Sequence, residues 1–201
     1  MSEIAVQIVP ILGDDIDTDR IYPARFLLDT DYSHYADYLF HDERFGQDGA
    51  KKGHSLDDPK FAGANAAIVG KNFGCGSSRE HAAQALKRFG IRIIIGESFA
   101  DIFLSNCAQC GIECFRADHK GTMDIAHQIS QGENAFSFTP NECNLLTGSF
   151  SIKLERVQAG HANAPDDFEL LSKNTEDITR TAWKIAYMKF WICRPKDIFI
   201  I

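Results

Sequence analysis

Short apolar runs alternate with polar turns along the chain, and run length separates strands from helices. Residues 4–12 (Ile-Ala-Val-Gln-Ile-Val-Pro-Ile-Leu) read as a first strand, with Pro10 marking its end or an edge. Ala66 to Gly70 is a second strand, short and wholly apolar. A helix then runs from Ser77 or Ser78 to Phe89, because Ala82, Ala85, Leu86 and Phe89 fall on one face. Ser77 and Glu80 have capping-box spacing, and Gly90 is a C-terminal stop. Ile91 to Ile95 is a β-branched run of the kind found in buried strands. Ser98 and Asp101 open another helix, with Phe99, Ile102, Phe103, Cys107 and Cys110 along one side and Gly111 at its end. Ile112 begins the next strand. The β-α-β-α-β order from 66 to about 117 predicts parallel strands joined by right-handed crossovers, an α/β fold.

The flanks carry weaker patterns. Tyr35, Tyr38, Leu39 and Phe45 predict a short helix within 31–45, and residues 46–60 lack any apolar period and read as a mobile surface loop. Residues 119–131 read as helix, and 135–139 and 149–157 as strands around a Pro-Asn turn. Residues 158–167 read as loop and 168–180 as helix, while 181–201 are apolar without a period. The whole chain, 1–201, is expected to form one domain, with 168–201 as an appendage.

Composition narrows the function classes. With 201 residues, 44% hydrophobic and 24% charged, the chain has the make-up of an ordinary soluble globular protein. A net charge of −7 argues against nucleic acid, which would require a basic face. No run approaches the ~18 apolar residues of a membrane span. The start, Met-Ser-Glu-Ile-Ala-Val, lacks the basic region of a secretory signal, so a cytoplasmic protein is expected. In that setting the six cysteines are expected to be free thiols.

Candidate chemistry concentrates in Asn72-Phe-Gly-Cys-Gly-Ser-Ser-Arg-Glu-His81, which joins the second strand to the following helix. Two glycines permit a tight turn. A helix N-terminus favours an anion through its exposed N–H groups and dipole. Arg79 can grip a carboxylate with two parallel hydrogen bonds, and Ser77 and Ser78 place hydroxyls beside it. A dinucleotide-binding module is the rival reading, since Gly74-x-Gly76 is followed by Glu97 at the expected distance. Arg79, however, occupies the position of the third glycine. No Walker loop or Gly-x-Ser-x-Gly elbow is present. Asp15, Asp17 and Asp19 alternate like the start of a calcium loop, but Arg20 and Phe26 stand where that loop needs glycine and glutamate. Cys107, Cys110 and Cys114 lack ferredoxin spacing and read as buried thiols rather than cluster ligands. No histidine pair has zinc spacing.

Three stretches resemble one family. Gly13-Asp-Asp-Ile-Asp-Thr-Asp-Arg-Ile-Tyr-Pro-Ala-Arg-Phe-Leu27 is similar to the opening signature of 3-isopropylmalate dehydratase small subunits. Residues 72–82 resemble the second signature, and Ser98-Phe-Ala-Asp-Ile-Phe103 with Asn106 the third. The resemblance covers residues 1 to about 117 and implies an aconitase-type swivelling domain. It further implies a separate large subunit bearing a [4Fe–4S] cluster, with no cofactor on this chain, and an active site between the two. The implied reaction is dehydration of 2-isopropylmalate and rehydration to 3-isopropylmalate in leucine biosynthesis. By the same resemblance Ser77 is the proton-transferring base, Arg79 holds a substrate carboxylate, Ser78 helps position it, and Arg25 makes a second carboxylate contact. Pro23 to Leu27 would form part of the substrate-selecting wall. The end of the chain departs from the family's pattern: Trp183 to Cys193 stands where an amphipathic helix and a Tyr-Glu-x-x-x-Pro-like tail are usual.

That division of labour is chemically coherent. Removing a proton α to a carboxylate needs a base, a clamp for developing charge and a Lewis acid for the departing hydroxyl. This sequence offers the first two. Small subunits of homoaconitases or methylmalate-type dehydratases are the alternatives within the class; the apolar Phe26-Leu27-Leu28 favours a branched aliphatic substituent over a third carboxylate.

Overall fold

In the computed structural model, which describes residues 3–158, the strand Ile4–Ile11 (β1) is the centre from which a sheet grows in both directions. On one side β2 (Ala66–Val69), β3 (Ile93–Gly96) and β4 (Glu113–Arg116) follow in parallel, with Ile8 opposite Ala66, Ala66 opposite Ile93 and Ile93 opposite Glu113. On the other side β5 (Ala135–Thr139), β6 (Asn144–Thr147) and β7 (Phe150–Lys153) pair antiparallel, and β8 (Glu155–Val157) adds antiparallel to β4. The order is β7-β6-β5-β1-β2-β3-β4-β8. β7 and β8 lie at opposite ends of that order, yet only Leu154 separates them in sequence. The sheet therefore curls until its two edges approach, which leaves little free edge. Leu154 is buried at this seam, and its N–H donates to the Cys143 carbonyl at 2.7 Å.

Three single-turn helices, α1 (Thr18–Ile21), α2 (Tyr35–Tyr38) and α3 (His41–Arg44), precede the longer α4 (Glu80–Phe89), α5 (Asp101–Cys110) and α6 (His119–Ser130). α4 packs on α5 and α2, and α6 on β1 and β2. Every residue of β2 and β3 is buried, as their uninterrupted apolar runs require of central parallel strands. Ile8, Ile68, Ile94, Leu86 and Phe115 are fully excluded from solvent. Each such side chain contributes about 1.5–3 kcal/mol relative to exposure.

Several sequence expectations need correction. α4 begins at Glu80 rather than at Ser77 or Ser78, and its N-cap is Arg79 with no side-chain cap, so the capping box does not form. The Ser98 hydroxyl accepts from the Asn72 N–H at 2.8 Å instead of capping α5. Residues 31–45 are not one helix. They form a 3-10 turn (Tyr32–His34), α2 and α3, with a break at Phe40, whose φ is +49°. The strand expected at 149–157 is two strands on opposite edges, and β6 had no signal of its own. Within 46–60, two 3-10 turns (Ser55–Asp57 and Pro59–Phe61) tuck Leu56 inside, and Asp57 receives Arg44 Nε at 2.8 Å and Nη2 at 3.0 Å. The readings for 159–167, 168–180 and 181–201, with Cys193, fall outside the described residues.

Candidate active site

The glycine turn after β2 is laid down as a ribbon between two other segments. On one flank Asp15 N–H donates to Lys71 O (2.9 Å), Gly74 N–H to Ile16 O (2.7 Å) and Thr18 N–H to Cys75 O (2.9 Å). On the other flank Phe73 N–H donates to Ser98 O (3.0 Å) and Ala100 N–H to Phe73 O (3.1 Å). All three sequence signatures therefore meet here through their main chains. Gly74 has φ +76°, and a Cβ on it would enter the Phe103 ring. Only glycine meets both demands at that position.

This stitching also explains why the helix starts late. The Ser77 carbonyl accepts from Thr18 Oγ1 at 3.0 Å and from Arg79 N–H at 2.8 Å, which holds residues 77–79 out of helical register. Ser77 and Ser78 are exposed, and among the described residues their hydroxyls make no hydrogen bond. They stand just ahead of the first turn of α4, whose N–H groups have no side-chain cap.

Arg79 is 19% exposed, and its Nη1 is paired with Asp19 Oδ1, on a carboxylate 55% exposed. Sequence reasoning missed Asp19 because the acidic run 14–19 reads either as a metal loop or, better, as a hydrogen-bonded turn that aims residues 21–27, and neither reading reaches Arg79. Its members divide among distinct contacts. Asp14 accepts from Lys71 N–H (2.9 Å) and Asp15 from Asn72 Nδ2 (2.7 Å), while Asp17 caps α1 through Arg20 N–H (2.8 Å). Asp19 alone reaches the arginine of the turn. No local signal marks this pair, because Asp19 and Arg79 are brought together only by the main-chain bonds between residues 15–18 and the glycine ribbon.

Arg25 is placed differently. Its guanidinium forks onto Asp42, with Nη1 to Oδ2 at 2.8 Å, and lies 4.4 Å above the Phe26 ring. Arg25 in turn holds the Asp42 carboxyl below the usual carboxylate range. Among the described residues no hydrogen bond joins Arg25 to the turn at 72–79. The link is aromatic: Phe26 meets Tyr22 edge-on at 6.4 Å, and Tyr22 lies 5.5 Å from the His81 ring in α4.

The cysteine triplet does not converge. Cys107 and Cys114 are buried, and a hydrogen bond with Cys114, followed by burial, pushes the Cys107 thiol far above its ordinary range. Among the described residues no group of three or more His, Cys, Asp or Glu side chains is arranged to hold a metal ion. The three cysteines therefore do not fit an iron–sulfur cluster. Cys75, inside the turn, has its thiol raised by burial and then by Asp17 and Asp15. A groove of about 740 Å³ lies at the carboxyl ends of β3 and β4, lined in part by Glu97, Arg116, His119 and Glu155; neither Ser77 nor Arg79 borders it. Glu97, the acid of the dinucleotide reading, is bonded to His119 at 2.8 Å. Among the described residues no helix is long and apolar enough to cross a membrane.

Comparison with known proteins gives a consistent picture. A 3-isopropylmalate dehydratase small subunit from Thermus thermophilus is 53% identical over 106 residues, 53% of each chain. The counterpart from Synechocystis is 44% identical over 134 residues, 67% of this chain and 66% of that one. The Staphylococcus haemolyticus protein is 37% identical over 148 residues, covering 68% and 78%. The chain thus spans about half the length of the Thermus relative it matches. A crystal structure of 3-isopropylmalate dehydratase from Methanocaldococcus jannaschii superposes with a TM-score of 0.62 at 22% identity over 94% of this chain and 99% of that one, a likeness of fold. The model of the aconitase C-terminal domain matches residues 10–118, the stretch that holds all three interlocked signatures, and this chain belongs to that family.

Proposed function

We propose that the chain is the small subunit of a heteromeric hydro-lyase of the cytoplasm that interconverts 2-isopropylmalate and 3-isopropylmalate in leucine biosynthesis. The observation that carries this reading is the exposed turn on which an unbonded Ser77 hydroxyl and the Asp19-oriented Arg79 guanidinium stand two positions apart in sequence. In this reading Ser77 takes and returns the proton α to a carboxylate. Arg79 holds that carboxylate with the donors that Asp19 leaves open, and Ser78 adds a neutral donor. Arg25 offers a second cationic contact once a diacid competes with Asp42. The names of the relatives support the substrate class and the subunit status.

A partner surface is needed on physical grounds. Ser77 and Ser78 face solvent, and proton abstraction from a carbon acid requires a site that excludes water. A helix terminus contributes at most about 2 kcal/mol, roughly 1.5 on the pKa scale. That is far too little to ionise a serine near neutral pH. The large subunit would supply the opposing wall together with a [4Fe–4S] cluster that acts as Lewis acid toward the departing hydroxyl. The apolar Phe26-Leu27-Leu28 favours the isopropyl substrate over a homoaconitase or methylmalate-type substrate.

The test is anaerobic reconstitution with the large subunit, comparing wild type with Ser77→Ala and Arg79→Lys. Ser77→Ala is expected to lower kcat by about 10²–10⁴-fold, the range for loss of a general base. Arg79→Lys is expected to raise KM strongly, because a point charge does not replace a two-pronged fork. Near-normal kinetics in both variants, or turnover by this chain alone, would overturn the assignment.

A further inference from the structure

Two backbone registers compete at the entry of α4, and a residue of the first signature decides between them. Ser77 and Glu80 have the spacing of a capping box. In that motif the serine Oγ accepts the N–H of the third helical residue, and the serine carbonyl accepts the first intrahelical bond. Among the described residues neither bond forms. The Ser77 carbonyl is taken instead by Thr18 Oγ1 at 3.0 Å and by Arg79 N–H at 2.8 Å. A carbonyl oxygen has two lone pairs, so none is left for a helix that starts at Ser78. Arg79 stays extended, with φ −87° and ψ 112°, and α4 begins at Glu80.

The place of Thr18 is set independently of Ser77. Its N–H donates to the Cys75 carbonyl at 2.9 Å, and its carbonyl accepts the Tyr22 N–H at 2.9 Å. Both main-chain groups are committed, which leaves the hydroxyl for the turn. Thr18 is 2% exposed, so water does not compete for that hydroxyl. A serine cap and a neutral hydrogen bond stabilise by similar amounts. One hydroxyl is therefore enough to choose the register, and its loss shifts such an equilibrium by about two- to tenfold.

We propose that Thr18 is a positioning residue for the proton transfer, holding the Ser77 carbonyl so that the Ser77 hydroxyl and Arg79 stay outside the helix and available to the diacid. This rests on the hydro-lyase reading above. In the capped register the Ser77 Oγ turns back onto its own helix. Arg79 becomes helical there, its ψ rotating from 112° to about −42°. Both groups leave the site together. A diacid that needs both binds only the extended register, so a capped population weakens apparent affinity and leaves the bound state unaltered.

The test uses Thr18→Val, which keeps the shape and drops the hydroxyl, and Thr18→Ser, which keeps the hydroxyl. Glu80→Pro supplies the rescue. Proline suits the first helical position of the observed register and favours an extended residue before it, but has no N–H for a serine cap. In NMR spectra of the full chain, Thr18→Val should turn the Ser78 and Arg79 carbon shifts helical and slow exchange of the Glu80 amide. Thr18→Ser should do neither. In the reconstituted two-chain enzyme the KM for 2-isopropylmalate should rise about two- to tenfold in Thr18→Val, with kcat within about twofold. Thr18→Val/Glu80→Pro should return both the shifts and KM to those of Glu80→Pro alone. A general loss of stability would neither add helix at residues 78–80 nor be reversed by proline. Unchanged shifts in Thr18→Val, or a KM that proline does not restore, would overturn the lock. A change of register at constant KM would overturn its part in the reaction. Retained turnover in Ser77→Ala would instead remove the underlying reading, and the shifts would still decide the lock.

Discussion

The Arg79 guanidinium is ion-paired with the Asp19 carboxylate, so the arginine of the glycine turn is held in one orientation by a residue sixty positions away. A single nitrogen, Nη1, makes this contact, which leaves the remaining donors of the fork for a substrate. Asp19 is itself more than half exposed, so the pair contributes little to folding and its importance lies in geometry.

Asp19→Asn should separate those two effects. The free energy of denaturant unfolding is expected to move by no more than about 1 kcal/mol, as for other exposed pairs. KM in the reconstituted enzyme should rise about tenfold, the equivalent of one charge-assisted hydrogen bond out of place. Unfolding curves and steady-state kinetics on the same preparation check both halves.

Gly74→Ala should destabilise the chain much more than Gly76→Ala. Both positions have positive φ, +76° and +93°, but only a Cβ at Gly74 would enter a ring, that of Phe103. The left-handed backbone costs about 1–2 kcal/mol in each case, and overpacking adds about 1–3 kcal/mol at Gly74 alone. Equal losses for the two variants in urea titrations would mean that Phe103 moves aside freely.

His54 gives the fold a predictable acid limb. Its Nδ1 accepts the Leu56 N–H at 3.1 Å and its ring stacks on Phe40 at 5.4 Å, so the neutral imidazole is the species that fits. Burial pushes its pKa below the ordinary histidine value. The unfolded chain then binds the proton more readily than the folded one. Stability is fully present above about pH 6.5 and falls as pH drops from there toward the folded-state pKa. His54→Asn preserves a capping acceptor and does not titrate. Its unfolding free energy should lose most of this slope between about pH 6.5 and the onset of general acid unfolding.

Thiol labelling should sort the cysteines by environment. Cys107 and Cys114 are buried free thiols, so a disulfide-exchange reagent should reach them only on unfolding. Cys75, Cys110 and Cys143 are only partly covered and should react in the native chain. Peptide mapping after timed labelling distinguishes the two classes.

Local pattern was enough for the parallel core. β2 and β3 are continuous apolar runs, β4 keeps an apolar centre between Glu113 and Arg116, and Gly90 and Gly111 end α4 and α5 as their positions suggested. The antiparallel half was harder to read. β6 (Asn-Leu-Leu-Thr) is too short to show a period, and β7 and β8 look like one strand because a single buried residue joins them. Single-residue corners between opposite sheet edges leave no mark in a hydrophobic pattern.

The capping box at Ser77 and the helix opening at Ser98 failed for a related reason. Both matched the local rule, and both lost to non-local bonds: Thr18 holds the Ser77 carbonyl, and Asn72 takes the Ser98 hydroxyl. Arg25 entered through the family resemblance as a second carboxylate contact, and its commitment to Asp42 had no sequence signal. Sequence spacing says nothing about which of several carboxylates a long side chain will reach.

The amino-acid order by itself determined that residues 72–81 make a glycine turn carrying Ser77, Ser78 and Arg79, because φ above zero is a local demand. It also determined the α/β core, since periods of two and 3.6 are properties of adjacent residues. Only the tertiary structure decided that the acidic run at 14–19 lies against that turn, that Asp19 orients Arg79, and that Thr18 holds the Ser77 carbonyl. Those pairings join residues far apart along the chain, and their existence depends on how the curled sheet brings its segments together.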